Sequence, residues 1–415
     1  MDMIIIGTGN RGMTYGTWAV ENGHRIRAIA EIREDRRMDA ANRLNVEKDM
    51  CFPEAMDLLK LEKQAEVAVI STMDRDHFKH TMAALDQGYD ILLEKPISPD
   101  PTECIRIEEK ARALGRTVIV CHVLRYTPFF GTIKQILDSG EIGKIVAIKH
   151  SENIGNFHMA HSFVRGNWRN TSLSSPIIMQ KSCHDLDILL WLTGAHCAKV
   201  AAFGDLTYFK PKNAPAGSSD RCCNCTVREN CRFDAFRAYQ PTLGTWPTEV
   251  VCLEQTEEAL RAALETGPYG RCVFRCDNDV CDHMSIIMEF DNGITATFSL
   301  TAQTDKVHRN IHIMCEDGEI IADDSERTVS VIHFRASGRD IPEMRTIDVS
   351  KAVSGHGGGD SGIMEDLIRV LSSASSDSRS SISRSVESHL MACAIEASRL
   401  TGKIIDMNSY KNSLK

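Results

Sequence analysis

Residues 7–12 read Gly7-Thr8-Gly9-Asn10-Arg11-Gly12, directly after the apolar run Met3 to Ile6 and ahead of an amphipathic stretch. Gly7 permits a tight turn from strand to helix, Gly9 lets backbone approach a pyrophosphate, and Gly12 lets helix and strand pack closely. The free N–H groups and positive dipole end of that helix favour an anionic group in the turn. Such a turn also occurs with no ligand, so a second feature matters. Glu31 ends the next apolar run, Ile26 to Glu31, nineteen residues past Gly12. A carboxylate there accepts hydrogen bonds from adenosine ribose hydroxyls. The pattern predicts a dinucleotide-binding βαβ unit, with Gly7, Gly9, Asn10, Arg11 and Gly12 at the pyrophosphate and Glu31 at the ribose. Glu31 would repel a 2′-phosphate, which favours NAD over NADP. Arg33, Arg36 and Arg37 could recruit that phosphate, but are read as a solvated helix face.

The alternation continues. Val67 to Thr72, Asp90 to Leu93 and Thr117 to Val120 are strand candidates, with helical stretches at Phe78 to Gln87 and Thr102 to Leu114. Near-continuous apolar strands separated by helices imply a parallel, doubly wound α/β sheet covered on both faces. Beyond residue 140 the pattern changes. Lys144 to Asn153, Met284 to Phe290, Ile294 to Ala302, Ile311 to Cys315, Glu319 to Ala322 and Val329 to Phe334 read as strands. The turns Asp291-Asn292-Gly293 and Glu316-Asp317-Gly318 mark antiparallel hairpins. The expected organisation is an α/β Rossmann domain over 1–122 and an α+β domain with a mostly antiparallel open sheet over 123–415. A chain of 415 residues exceeds one ordinary core. Pro211 to Ser219 reads as a loop, and Ser372 to Ser385 as a Ser-rich stretch between two helices, too short for a linker.

Composition removes several function classes. Apolar residues make up 42% and charged residues 25%, ordinary for a folded globular chain. With 48 basic and 57 acidic residues the net charge is −9, and no basic block appears, so a nucleic-acid partner is not expected. No run approaches the ~18 apolar residues of a membrane helix. Met1-Asp2-Met3 leads straight into a strand, with no leader pattern, and the expected location is cytoplasmic.

Fifteen cysteines are many for a reducing compartment, and four of them, Cys222, Cys223, Cys225 and Cys231, fall within ten residues. Most of the others read as buried free thiols. The Cys222-x-x-Cys225-x5-Cys231 spacing predicts a structural zinc in the loop 221–232, with Cys223, Cys272 or Cys276 as a fourth ligand. Reduced thiols without metal are the competing reading.

Several segments, taken in order, carry a likeness to a known family. They are Val69-Ile70-Ser71-Thr72 with His77, then Glu94-Lys95-Pro96, Arg125-Tyr126 with Pro128, Gly140-Glu141-Ile142-Gly143, and His184-Asp185-Leu186-Asp187 running into Leu190-Trp191-Leu192. Together they resemble the glucose–fructose oxidoreductase / inositol dehydrogenase family, Gfo/Idh/MocA, over about the first 200 residues. The resemblance implies an NAD(P)-dependent oxidoreductase acting on a sugar or cyclic polyol. It implies Thr72, His77, Glu94 and Lys95 at the cofactor, and Lys95 and His184 as the catalytic pair. Oxidising a hydroxyl needs a base for the O–H proton while carbon gives up hydride, and a lysine beside a cationic nicotinamide loses its proton more readily.

The substrate-facing set comprises Arg125, Tyr126, His158, His161, Arg165, Trp168, Arg169, Lys181 and Asp187; aromatic and charged donors suit a polyhydroxylated ring. The clusters Asp277-Asn278-Asp279 with Asp282 and His283, and His356-Gly357-Gly358-Gly359-Asp360, could line the same pocket or be turns and caps. One departure stands out. Many family members carry an aspartate four residues before the catalytic histidine, and this chain has Gln180. That leaves open a redox-neutral glycosidase working by transient oxidation, elimination and re-reduction, and also a non-catalytic sugar or dinucleotide sensor. Expected partners are a small sugar, polyol or glycoside and a second copy of the chain, as a homodimer or homotetramer through the C-terminal sheet.

Overall fold

A computed structural model of the chain describes residues 1–337, 341, 343–350, 355–373 and 378–414. The first sheet has six parallel strands: β1 (Asp2–Ile6), β2 (Arg25–Ala30), β3 (Cys51–Phe52), β4 (Val67–Ile70), β5 (Asp90–Leu93) and β6 (Val118–Val120). Their spatial order is β3-β2-β1-β4-β5-β6. The order reverses between β1 and β4, and ligands of such sheets bind at the carboxyl ends beside that switch point. Helices cover both faces, which is why Met3 to Ile6 and Val67 to Ile70 are buried residue after residue.

The second sheet has nine strands among the described residues: β7 (Ile145–Asn153), β8 (Cys197–Asp205), β9 (His283–Phe290), β10 (Thr295–Thr301), β11 (His308–Cys315), β12 (Gly318–Asp323), β13 (Thr328–His333), β14 (Glu343–Asp348) and β15 (Ile405–Asp406). Their order is β14-β13-β12-β11-β7-β10-β9-β8-β15; all neighbours are antiparallel except β7 and β10. On β9, Met284, Ile286, Met288 and Phe290 face the core and alternate with His283, Ser285, Ile287 and Glu289 outward. The helices Cys183–Thr193 and Ile382–Thr401 pack on each other, and the second also packs on β8. The outer face carries exposed Phe203, Ile287 and Ile321.

Two features cut across the expected organisation. The helix Gly359–Ser372 returns to the first sheet, placing Ile363, Met364, Leu367 and Val370 in one core with Met3, Ile5, Val67 and Leu92. The Ser-rich stretch is pinned as well: Val120 N–H donates to Ser380 O at 2.9 Å, which extends the edge of β6. Residues 374–377 of that stretch lie outside the described residues. Between β8 and β9 the chain makes an excursion, 206–282, with a satellite core of Cys222, Ala235, Tyr239, Leu260, Leu264 and Tyr269.

Candidate active site

The glycine turn follows β1 at the switch point. Gly7 has φ +92°, and a Cβ there would meet Ser71 O at 2.6 Å; a Cβ on Gly12 would meet Gly7 O at 2.1 Å. At Gly9 the nearest atom to a Cβ is Arg36 Nη1 at 3.9 Å. Gly7 and Gly12 are therefore required by the chain itself, while Gly9 presents bare backbone to open space, as a pyrophosphate needs. The helix Asn10–Glu21 has no acid in its first turn to compete for its N–H groups. Glu31 sits over the turn, accepting from Thr8 N at 2.9 Å and Arg33 N at 3.0 Å. Arg33 pairs with Asp35, and Arg37 donates to Glu31 O at 2.6 Å, so two of the three nearby arginines are already engaged. These residues fit NAD.

Arg11 ties the turn to two other parts of the chain. Its Nε donates to Glu94 Oε1 at 2.8 Å and its Nη2 to Asp360 Oδ1 at 2.6 Å, and it also contacts Tyr15 OH. Tyr15 OH donates to Glu94 at 2.6 Å. Burial would raise the Glu94 carboxyl, but Arg11 and Lys95 overcome it and hold the group below the usual carboxylate range. Asp360, likewise pulled down against its burial by His356 and Arg11, starts the returning helix. His356 takes a left-handed backbone, φ +47°, with Nδ1 3.1 Å from Asp360 Oδ2.

Lys95 follows β5 at the same sheet edge. Its Nζ donates to Gln180 O at 2.9 Å and lies 6.0 Å from the Trp168 ring centre. His77 braces this turn: its ring nitrogens lie 2.7 Å from Pro96 O and 3.1 Å from Thr72 O. Thr72 Oγ1 is in turn 3.2 Å from His80 Nδ1. His77 and Thr72 thus hold the Lys95 turn against the loop after β4. His184 sits in the first turn of the helix Cys183–Thr193, buried, with Nδ1 lacking a hydrogen-bond partner. Burial, then the charge of Lys95, pushes His184 well below the ordinary histidine value, so its imidazole is neutral. The Gln180 carboxamide turns away from this pair and donates to Asp74 and Ser174.

The substrate-facing candidates divide into two groups. His158 and Lys181 share the surroundings of Lys95: burial, then Lys181, His161, Lys95 and Arg309, drive His158 well below its ordinary value. Lys181 Nζ pairs with Glu152 at 3.1 Å, and Trp168 covers Lys95. The others are engaged elsewhere. Arg125 makes a two-pronged bond to Asp187, 2.6 and 2.7 Å, buried beneath the His184 helix, and Tyr126 OH bonds Asp366 at 2.8 Å. His161 Nδ1 lies 3.0 Å from Tyr239 OH, and Arg169 pairs with Asp277 at 2.7 Å. Arg165 is buried against the excursion, donating to Arg271 O and Phe233 O, each at 2.7 Å. Of the two polar clusters, Asp282 accepts from Thr207 N and Tyr208 N to hold the start of the excursion.

Sequence reasoning missed several residues here. His122 is 1% exposed with neither ring nitrogen bonded, and its ring stands 5.6 Å from that of His184 and 5.5 Å from that of His389. Glu152 on β7 and Arg309 on β11 pair with each other, and Arg309 Nε donates to Asp185 at 2.7 Å. His122 is an isolated polar residue in an apolar segment, Glu152 and Arg309 sit among other polar residues of their strands, and only the tertiary fold brings them together.

The zinc expectation is corrected. Among the described residues no group of three or more His, Cys, Asp or Glu side chains is placed to hold a metal ion. Cys222, Cys225, Cys231 and Cys272 do border one cavity of about 20 Å³. The Arg165 guanidinium stands there too, with Nη2 3.6 Å from Cys222 Sγ, and its fixed positive charge opposes a dication. Arg165, rather than a metal, joins the strands of this loop. All fifteen cysteines are free thiols.

With this geometry in place, comparison with known proteins is direct. Residues 1–122 match the family described as oxidoreductase, NAD-binding Rossmann fold, and residues 134–407 its C-terminal alpha/beta domain. YteT of Bacillus subtilis, which carries the name of an oxidoreductase, is 24% identical over 330 residues, covering 76% of this chain and 74% of YteT. Inositol 2-dehydrogenase 2 of Saccharopolyspora erythraea is 27% identical over 207 residues, 49% of this chain and 56% of that enzyme. The match thus spans about half of that dehydrogenase. A levoglucosan dehydrogenase solved with NADH superposes with a TM-score of 0.73 at 16% identity, covering 98% of this chain and 99% of the other. An Agrobacterium radiobacter oxidoreductase solved with NAD+, L-tartaric acid and magnesium gives 0.70 at 14%, covering 99% of each. At such identities these two likenesses concern the fold. The family matches cover nearly the whole chain in both halves: it belongs to the Gfo/Idh/MocA family of NAD-binding oxidoreductases.

Proposed function

We propose that this chain is an NAD-dependent dehydrogenase of a sugar or cyclic polyol, with Lys95 as proton acceptor and His184 as its neutral partner. The observation that carries the reading is that Lys95 and the glycine turn share one sheet edge, with His184 near enough for the charge of Lys95 to act on it. Lys95 Nζ is held at Gln180 O, one turn before His184, and Glu94 beside it is locked to Arg11 of the turn. NAD, when bound, supplies the hydride acceptor. Glu31 and the bare backbone at Gly9 hold it, the first selecting NAD over NADP. Lys95 takes the hydroxyl proton as the carbon gives up hydride, and the neutral His184 imidazole shares a hydrogen bond with the reacting oxygen. Lys181 and His158 orient neighbouring hydroxyls. The names of the inositol dehydrogenase relatives support the substrate class.

The reading extends to a cytoplasmic homo-oligomer. Fifteen free thiols suit a reducing compartment, and Phe203, Ile287 and Ile321 on the outer sheet face suit burial against a second copy. No described helix is long and apolar enough to cross a membrane. The test of activity is to incubate the protein with NAD and a panel of sugars, polyols and aryl glycosides. NADH formation supports the dehydrogenase. Aglycone release without net NADH supports the redox-neutral glycosidase, to which the missing acid at Gln180 is relevant. Binding without either supports a sensor.

A further inference from the structure

Of the four tryptophans in the chain, Trp168 and Trp246 are the exposed ones, at 38% and 44%. They lie far apart in sequence and on different elements, yet a series of ring contacts joins them. Trp168 stands 6.0 Å from Phe163, Phe163 5.9 Å from His158, and His158 5.2 Å from Trp246. At one end of this series is Lys95 Nζ, 6.0 Å from the Trp168 ring. At the other end is the excursion between β8 and β9.

Trp246 is held firmly for an exposed side chain. Thr242 Oγ1 and Thr248 Oγ1 bond across its turn at 2.7 Å, and Thr248 Oγ1 also donates to Tyr239 O at 2.6 Å. Asn10 of the glycine turn donates to Glu249 at 3.2 Å, which fixes this turn relative to the cofactor site. The Trp246 ring also meets His161 edge-on at 5.5 Å. Between the two tryptophans, the half-buried His158 makes no ring-nitrogen hydrogen bond among the described residues, and its surroundings hold it well below its ordinary value. A rigid, exposed aromatic with an unpaired neutral donor-acceptor beside it suits the apolar face and hydroxyl rim of a sugar ring. Phe163, itself buried, and His158 thus stand between the two exposed tryptophans.

We propose that Trp168 and Trp246 mark two successive subsites, Trp168 for the ring oxidised at Lys95 and Trp246 for the second ring or aglycone attached to it. The preferred substrate is then a disaccharide or glycoside rather than a free monosaccharide or cyclitol. This rests on the sugar-oxidising reading of the site and adds to it the size of the substrate and a specificity residue supplied by the excursion.

The test uses the full chain loaded with NADH. Glucose, myo-inositol, methyl glucosides, cellobiose, maltose and 4-nitrophenyl glycosides are titrated by calorimetry, and the same compounds are then assayed with NAD. At least one two-ring compound should bind about tenfold or more tightly than its one-ring counterpart, the scale of a well-packed aromatic contact. Trp246→Ala should erase that preference, leaving one-ring affinity and NADH affinity within about twofold, while Trp246→Phe should keep most of it. Equal affinity for one-ring and two-ring compounds, or equal weakening of both by Trp246→Ala, overturns the subsite. Two-ring preference without hydride transfer or aglycone release would refute the oxidoreductase reading and leave the subsite standing. Binding of none of these compounds overturns the proposal.

Discussion

Lys95 Nζ donates to the carbonyl oxygen of Gln180 at 2.9 Å, so this amine is held by the backbone of a residue whose own side chain is a neutral amide. The side chain of Gln180 is turned to Asp74 and Ser174. A backbone acceptor fixes the direction of the amine.

Lys95→Ala should therefore cut turnover by about 10²-fold or more, the scale of losing a positioned base, while NADH binding stays near wild type. Parallel steady-state kinetics and NADH titration check this. Near-normal turnover would remove Lys95 from the reaction.

Arg11 is the shared partner of two buried carboxylates, Glu94 and Asp360, from segments distant in sequence. Arg11→Met removes the cation the two share, leaving Lys95 near Glu94 and His356 beside Asp360; losing hydrogen bonds to charged groups costs about 1.5–3 kcal/mol. Urea unfolding should show a loss of that size. Because Glu94 adjoins Lys95, the variant should also lose NAD affinity. A loss under 1 kcal/mol, about the value of an exposed pair, would contradict this role.

Much of the first sheet is legible in the sequence because its strands are buried on both faces and read as unbroken apolar runs. β8 was not legible: Cys197 to Asp205 mixes small residues with Gly204 and lacks a clean alternation. The return of the helix Gly359–Ser372 to the first core was also hidden, since an amphipathic pattern does not say which sheet it covers. At the site, the glycine turn, Glu31, Lys95 and His184 are local patterns and could be found. Arg125 and Asp187 are polar residues in matching motifs, yet they pair with each other; sequence cannot distinguish a substrate contact from a buried brace. The cysteine spacing suggested a metal because the buried Arg165 comes from a segment more than fifty residues away.

Arg165 should matter for the excursion more than for chemistry. Arg165→Leu leaves Phe233 O and Arg271 O without their donor, and each unmade buried bond costs about 1–3 kcal/mol. Proteolysis should then cut within 206–282 well before the two sheets, with NADH binding retained. Unchanged protease resistance would count against this brace.

Acid should destabilise the fold through its buried histidines. His80 and His161 are lowered to about 4 and His389 to about 3, in each case chiefly by burial. The unfolded chain binds protons near 6.5 and the folded chain does not, so their contribution is complete above 6.5 and declines as pH falls toward 4. Each histidine contributes up to about 1.4 kcal/mol per pH unit in that window. Urea midpoints measured from pH 7.5 to 5 should fall steadily below 6.5; a flat profile would show that these rings are protonated in the folded state.

Glu31→Ala should weaken NAD more than NADP, because the adenosine ribose of NAD relies on that carboxylate. Titration with both cofactors gives the ratio, and a wild-type preference for NADP would assign the site to Arg36 and its neighbours.

The central claim is most directly tested by absorbance at the NADH band when the purified chain is mixed with NAD and the sugar, polyol and glycoside panel. The account predicts NADH formation with at least one compound in the wild-type protein, lost on Lys95→Ala. Aglycone release with no net NADH, or binding with no reaction at all, would contradict it.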